Sequence, residues 1–461
     1  MLTDKNIQLI LEAALSTGAD YSEIFIENDE ADAVGILNGY INKASTSFVS
    51  GIGIRIIKGV NSVYTFTNSF DIYELISLAK NAAKSLCDLP VDSNLSIVIP
   101  NCQRTTASSV QISPNIIKKS DKADYLRLAT SYANKNSMIT QTTGSISYSN
   151  RTIQVANSYG KNVIENNERI RLAFSVVATK DNEKQTSSFS PGCLRGYEFI
   201  NDFPLEEEIN RIVESSNRMV NAGYAPSGKM PVVIGNGFGG VIFHEACGHA
   251  LEATSVGIKA SCFTDMIGKQ IASEVVTARD DARLIGEWGS YLYDDEGNDS
   301  SNLLLIENGI LKNYLIDEIG SRRMNMKPTG CSRRQDYSYS PTSRMSNTYI
   351  DNGRSTPEEI ISNTEYGLYA SQMGGGSVDT TTGEFNFAVS EGYIIRNGKL
   401  AEPVRGATLI GKGPEVLMNI DMVGNDLKLA AGVCGSISGS VPTSVGQPTL
   451  RVSSIIVGGR D

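Results

Sequence analysis

The chain has 461 residues, 40% of them apolar and 20% charged, which gives enough apolar surface for more than one core and too little polarity for a disordered chain. Lysine and arginine total 41 against 51 aspartates and glutamates, and the net charge of −10 repels polyanions and excludes a basic surface for nucleic acid. No apolar run reaches the roughly eighteen residues of a membrane helix, and residues 1–25 lack the pattern of a secretory leader, so no membrane span and a cytoplasmic location are expected.

In chain order, Thr3 or Asp4 caps a first helix whose apolar residues Ile7, Ile10, Leu11, Ala14 and Leu15 recur at helical spacing before Gly18 stops it. Residues 21–27 alternate like a half-buried strand, and further strands are expected over 51–57 and 63–66. A helix over 71–86 puts Ile72, Leu75, Ile76, Ala79 and Ala83 on one face, and another fits 118–134. Residues 139–178 read as antiparallel strands broken by polar turns such as 157–160. A long amphipathic helix follows, with Pro204 in its first turn and Gly223 as its stop.

The Pro/Gly-bearing stretch 223–228 reads as a linker, which divides the chain into an N-terminal domain, 1–222, and a C-terminal domain, 229–461. The second half is richer in glycine and strands. Asn308-Gly309 and Asn397-Gly398 each sit between apolar runs and predict type I′ hairpins. Helices are expected after Thr356-Pro357, over 414–423, and from near Gly237. The fold class is therefore α+β: an N-terminal α/β domain with antiparallel strands, then a β-rich domain built as a sheet or barrel.

Residues 230–253, MPVVIGNGFGGVIFHEACGHALEA, hold the only two histidines, His244 and His249, with Glu245 beside the first. The helical zinc motif places two histidines four apart so that they share a helix face. Here the spacing is five, and on an ideal helix that swings the second ring about 140° from the first. One π-bulge, at roughly 4.4 residues per turn, brings it back to within about 50°. Gly248 lowers the cost of that distortion. Two imidazoles suit zinc, a third ligand must be a thiolate or a carboxylate, and Glu245 is placed to act as general base. Glu252, three residues past His249, is one candidate third ligand, and any of seven scattered cysteines is another. The glycines from Gly235 to Gly240 also spell the GxGxxG of a dinucleotide site; without a regular βαβ series after them, they read instead as close strand–helix packing.

Beyond HEACGHALEA (244–253), the ordered blocks YDDEGN (293–298), RMSNTYI (344–350), GGGSVDTTTGEFNF (374–387), ATLIGKGPEVL (407–417), MVGND (422–426) and SVGQPTLRV (444–452) span much of the chain. On these residues the sequence resembles the TldD/PmbA peptidases, in particular the metal-bearing TldD type. The resemblance implies an N-terminal domain serving dimerisation and the substrate chamber, and a β-rich metallopeptidase domain. It implies a divalent metal, zinc, on His244, His249 and Cys434 with Glu245 as base, and hydrolysis of small or unfolded peptides. It further implies a homodimer, or a heterodimer with a PmbA-like subunit that lacks the motif. Ser436 and Ile437 stand where the family pattern carries a basic residue.

Asp294, Asp295 and Glu296 read as a solvated turn, and Arg344 as either a structural ion pair or a substrate contact. Two other functional readings fit the same residues. One is a Cys-His hydrolase with Cys247 or Cys434 as nucleophile; the other is a non-enzymatic peptide-binding or partner subunit in which the metal is structural.

Overall fold

The computed structural model describes residues 2–86, 97–379 and 382–460. Helix α1 (Asp4–Leu15) starts on Thr3, whose side chain accepts the Asn6 N–H, and it buries Ile7, Ile10, Leu11 and Ala14 as its periodicity demands. Two of the first strands are far longer than the sequence pattern suggests: β1 is Tyr21–Leu37 and β2 is Tyr40–Lys58. The outer half of β2 is polar and exposed, and β1 runs through a polar stretch at 28–33 before Val34 and Ile36 are buried again, so apolar alternation does not show either strand's full length. The turn between them is a third Asn-Gly pair, Asn38-Gly39, with φ of 50° and 81°, the left-handed geometry a type I′ hairpin requires.

Strands β3 (Asn61–Thr67), β4 (Ile139–Asn157) and β5 (Asn162–Lys180) extend this into an antiparallel sheet of order β3-β2-β1-β4-β5. Helices α1 and α2 (Ile72–Leu86) cover one region of the sheet, and α3 (Lys119–Ala133) and α4 (Leu205–Asn221) another, each region with its own apolar cluster. Pro204 caps the last of these helices from outside its first turn.

After α4 the chain builds a barrel and a second sheet. The strands that matter are β6 (Gly228–Ile234), β7 (Asn347–Ile350), β8 (Tyr366–Val378), β9 (Glu384–Arg396), β10 (Thr408–Lys412), β11 (Lys428–Ser436), β12 (Gly439–Gln447) and β13 (Leu450–Gly458). Pairings β8-β6-β13-β10-β9 return to β8 and close a five-stranded barrel, the barrel-like alternative expected for this half. Strands β7, β12 and β11 form one side of a six-stranded sheet, with β11 at its edge. Both second-half Asn-Gly pairs turn hairpins with positive φ. The helix expected over 414–423 is only Gly413–Met418; Asn419 caps it, and Ile420–Val423 is drawn into a strand against β13.

The acidic run Asp294 to Glu296 is not a solvated turn. All three residues are buried at the seam between the halves. Asp294 accepts the backbone N–H groups of Glu296, Asn298 and Ser332. Glu296 pairs with Arg55 of β2 and also accepts the Glu318 N–H. Arg334 reaches back to Glu23 of β1 at 2.7 Å, with both side chains 0% exposed. Burial drives Asp294 and Glu296 upward, holding Asp294 at about 7, while Arg55 opposes the rise at Glu296. Charges this deep persist only because each has a partner.

Removing one partner strands the other. Arg334→Ala is expected to lower stability by about 3–5 kcal/mol in urea unfolding by leaving Glu23 buried with a weakened counter-charge, whereas truncating the exposed Arg396, paired with Glu402, leaves the unfolding midpoint nearly unchanged.

Candidate metal centre

Strand β6 delivers the chain to Gly235, and the segment that follows is not one α-helix. It is a 3₁₀ turn at Gly237–Gly240, an α turn at Val241–Phe243, a π turn at His244–Gly248 and a second 3₁₀ turn at His249–Leu251. The His249 N–H donates to the His244 carbonyl, an i to i+5 bond that closes the wide turn. The distortion demanded by the five-residue spacing is therefore present between the two histidines. Their rings lie 5.1 Å apart, centre to centre, and nearly perpendicular at 85°.

Close packing holds the turn in place. A Cβ on Gly248 would meet the Met345 sulfur at 2.1 Å, and one on Gly413 would meet the Ala246 carbonyl oxygen at 2.2 Å. The GxGxxG glycines serve the same end. A Cβ on Gly240 would lie 2.5 Å from the backbone of Gly446, and one on Gly239 would lie 2.7 Å from Gln447, so the turn faces packed strand and not a phosphate-sized opening.

The third member arrives from β11. Cys434 Sγ lies 3.2 Å from His244 Nε2 and 3.3 Å from His249 Nε2, and the ligating atoms of all three residues fall within 4.8 Å of one another. Among the described residues this is the one such group of His, Cys, Asp and Glu. His244 and Cys434 are each only 3% exposed. Glu245, by contrast, keeps 30% of its side chain exposed and brings Oε2 to 3.8 Å from His249 Nε2, on the open side of the cluster. Glu252 does not join the face where the three meet; its Oε1 lies 3.2 Å behind His249, at Nδ1.

Burial works against charge on the Cys434 thiol, yet the imidazoles of His244 and His249 outweigh it and hold the thiol down at about 3. Burial likewise disfavours a charged His249, but the Glu252 carboxylate and then Cys434 hold its pKa well above the usual value. Two imidazoles and a thiolate, with the His244 Nδ1 buried and unpartnered, are a donor set that fits zinc. Cys247 is a different kind of cysteine. It sits in the apolar core at 1% exposure, and burial pushes its thiol well up, so it is no nucleophile.

One residue near the site goes beyond both roles considered for it. Arg344, 0% exposed, forms no ion pair among the described residues; it donates to the carbonyls of Cys434 at 2.5 Å and Gly439 at 2.8 Å, and to Ser438 Oγ at 2.9 Å. It thus staples the β11–β12 turn that carries the thiol. The outer edge of β11 is held too, where Arg171 of β5 donates to the Ala431 carbonyl and Trp288 to that of Gly432. Nothing in the spacing of the sequence marks these contacts; they join residues more than ninety positions apart, or close to it, in the chain.

Three family models cover most of the chain: the PmbA/TldA metallopeptidase domain 1 at residues 22–86, the central domain at 112–220 and the C-terminal domain at 227–459. A metalloprotease TldD homolog of Buchnera aphidicola is 31% identical over 99% of this chain and 96% of its own length. A zinc metalloprotease TldD homolog of Saccharolobus solfataricus is 32% identical over 55% of this chain and 57% of its own. Among solved structures, a Thermotoga maritima protein superposes with a TM-score of 0.81 at 19% identity, covering 99% of this chain and 100% of that one. TldE from Thermococcus kodakarensis gives 0.76 at 18%, covering 98% and 100%. At such identities these two likenesses carry the fold alone.

In the metal-free protein Cys434 is expected to be a thiolate at neutral pH. The ultraviolet thiolate absorbance that Cys434→Ser removes should persist on acidification and fade only as the pH approaches about 3. An ordinary thiol at this position, ionising only above neutral pH, would contradict the geometry just described.

Proposed function

The chain belongs to the PmbA/TldD metallopeptidase family, and from that premise we propose that it hydrolyses peptide bonds using a zinc ion held by His244, His249 and Cys434, with Glu245 as general base. The observation that carries this reading is the convergence of three ligating atoms within 4.8 Å beside the Glu245 carboxylate, whose side chain is 30% exposed against 12% for His249. When bound, zinc supplies a Lewis acid that polarises the scissile carbonyl and acidifies water. Glu245 takes a proton from the attacking water and returns it to the leaving amine. Cys434, held ionised by the imidazoles, supplies the negative charge that favours a divalent cation over the bare protein. The printed name of the Saccharolobus relative supports zinc as the metal.

The recessed position of the ligands limits the substrate. With His244 and Cys434 at 3% exposure, they lie too deep for the surface of a folded protein to reach. Small or unfolded peptides are therefore the proposed substrates. The same reading takes residues 1–222 and 229–461 as the two functional units, a cytoplasmic location, and assembly as a homodimer or with a PmbA-like subunit.

Metal analysis beside a peptide-cleavage assay separates this reading from its rivals. Glu245→Gln should retain zinc at the wild-type level while cleavage falls by about 10²–10⁴-fold. Cys434→Ala should lose both. Cleavage by zinc-free protein would point to a cysteine hydrolase, and stoichiometric zinc without any cleavage would point to a structural metal.

A further inference from the structure

An imidazole ligand has two nitrogens, and which of them offers its lone pair depends on what holds the proton at the other. The two histidines differ in this respect. His244 turns Nε2 toward Cys434 and leaves Nδ1 buried, with no hydrogen-bond partner among the described residues. His249 turns Nε2 toward the same sulfur but has its Nδ1 3.2 Å from Glu252 Oε1.

Glu252 is built for that position. The helical run ends at Leu251, and Glu252 itself is extended, with φ of −73° and ψ of 134°. Its backbone N–H donates to the His249 carbonyl, and it bridges to Leu315, whose own N–H and carbonyl bond to Leu251 and Ala253 on either side. The side chain is thereby turned into the protein at 4% exposure, directly behind His249. There its Oε1 is sealed from solvent with no aligned hydrogen bond among the described residues. A buried acceptor with nothing to accept is costly, and among the described residues the ring nitrogen within reach is Nδ1 of His249.

We infer that Glu252 is a positioning residue: its buried carboxylate holds the proton on His249 Nδ1, and so fixes the tautomer and ring orientation that present the Nε2 lone pair to the metal site. This rests on the zinc reading above. It also gives the HALE half of the motif a purpose distinct from ligation. His249 is the preorganised ligand, while His244 relies on packing alone.

The test uses the full chain, zinc, and a chromophoric chelator as competitor. Glu252→Gln keeps an amide oxygen that can still accept the Nδ1 proton, whereas Glu252→Met fills the same volume without an acceptor, and Glu252→Ala serves if the methionine variant does not fold. Zinc affinity should fall about 10–100-fold in the Met or Ala variant and recover most of the way in Gln. Cobalt-loaded protein should keep its thiolate-to-metal absorption in all variants, because the three ligands remain. Since the chain has two histidines, NMR of the zinc-loaded protein assigns each ring by a single substitution, and the Nδ1 proton of His249 should be hydrogen-bonded and shifted downfield in wild type and move upfield in the Met variant. Wild-type affinity in Glu252→Met would overturn the inference while leaving the zinc reading intact. Loss of metal in Gln as complete as in Cys434→Ala would overturn it in favour of Glu252 as a direct ligand. Failure of the wild-type chain to bind zinc would overturn both.

Discussion

Two imidazoles five residues apart can face one point only if the helix between them widens, and the rest of the C-terminal half is arranged to hold that one wide turn. The His249 N–H reaching the His244 carbonyl sets the geometry, but a π turn costs more than an α turn and does not persist unaided. Its neighbours supply the difference. Met345 fills the space a side chain at 248 would need, and the Ala246 carbonyl approaches the backbone of Gly413. The strand end at Gly446 presses on Gly240. Each of these contacts comes from a distant stretch of chain, so the turn and the fold stabilise each other.

The wide turn also decides which groups face which way. It rotates both histidines toward Cys434 while leaving Glu245, next in sequence to His244, on the solvent side. Under the proposed reading a proton acceptor would stand on the more open side and the ligands on the more enclosed one, and the turn separates the directions of these adjacent residues. At the far end, the extended backbone of Glu252 stops the helical run and drops a carboxylate behind the second imidazole.

The first half of the chain is tied to this centre by buried charge. Arg171 of β5 braces the strand that carries the thiol, Arg55 ties the first sheet to Glu296, and Glu23 ties it to Arg334. From that seam Arg333 donates to the carbonyl of Met345, the residue that packs against Gly248. An unbroken set of packed and hydrogen-bonded groups therefore joins the N-terminal sheet to the wide turn. Paired ions of this sort add little net stability over apolar packing, but they tolerate only one register, because any slip strands a charge away from water.

Much of this was legible in the sequence, and the reason is local. The helix periodicities, the Asn-Gly hairpins and the need for a widened turn between His244 and His249 follow from dihedral preferences and spacing over a few residues. The long polar arm of β2 and the polar middle of β1 were not legible, since a strand paired on the sheet but polar on its faces carries no apolar alternation. Nor was the burial of Asp294 to Glu296, because an acidic run reads as solvated until its arginines, Arg55 on β2 and the more distant members of the seam, are known to be neighbours. Chemistry on the two histidines was fixed by residues 244–249, but the choice of Cys434 over Glu252 on the ligand face depended on where β11 folds. So the sequence alone determined the elements, the motif and the strain the motif requires. The tertiary structure decided which distant groups relieve that strain, because partners separated by scores of residues leave no periodic trace in the chain and meet only when it has folded.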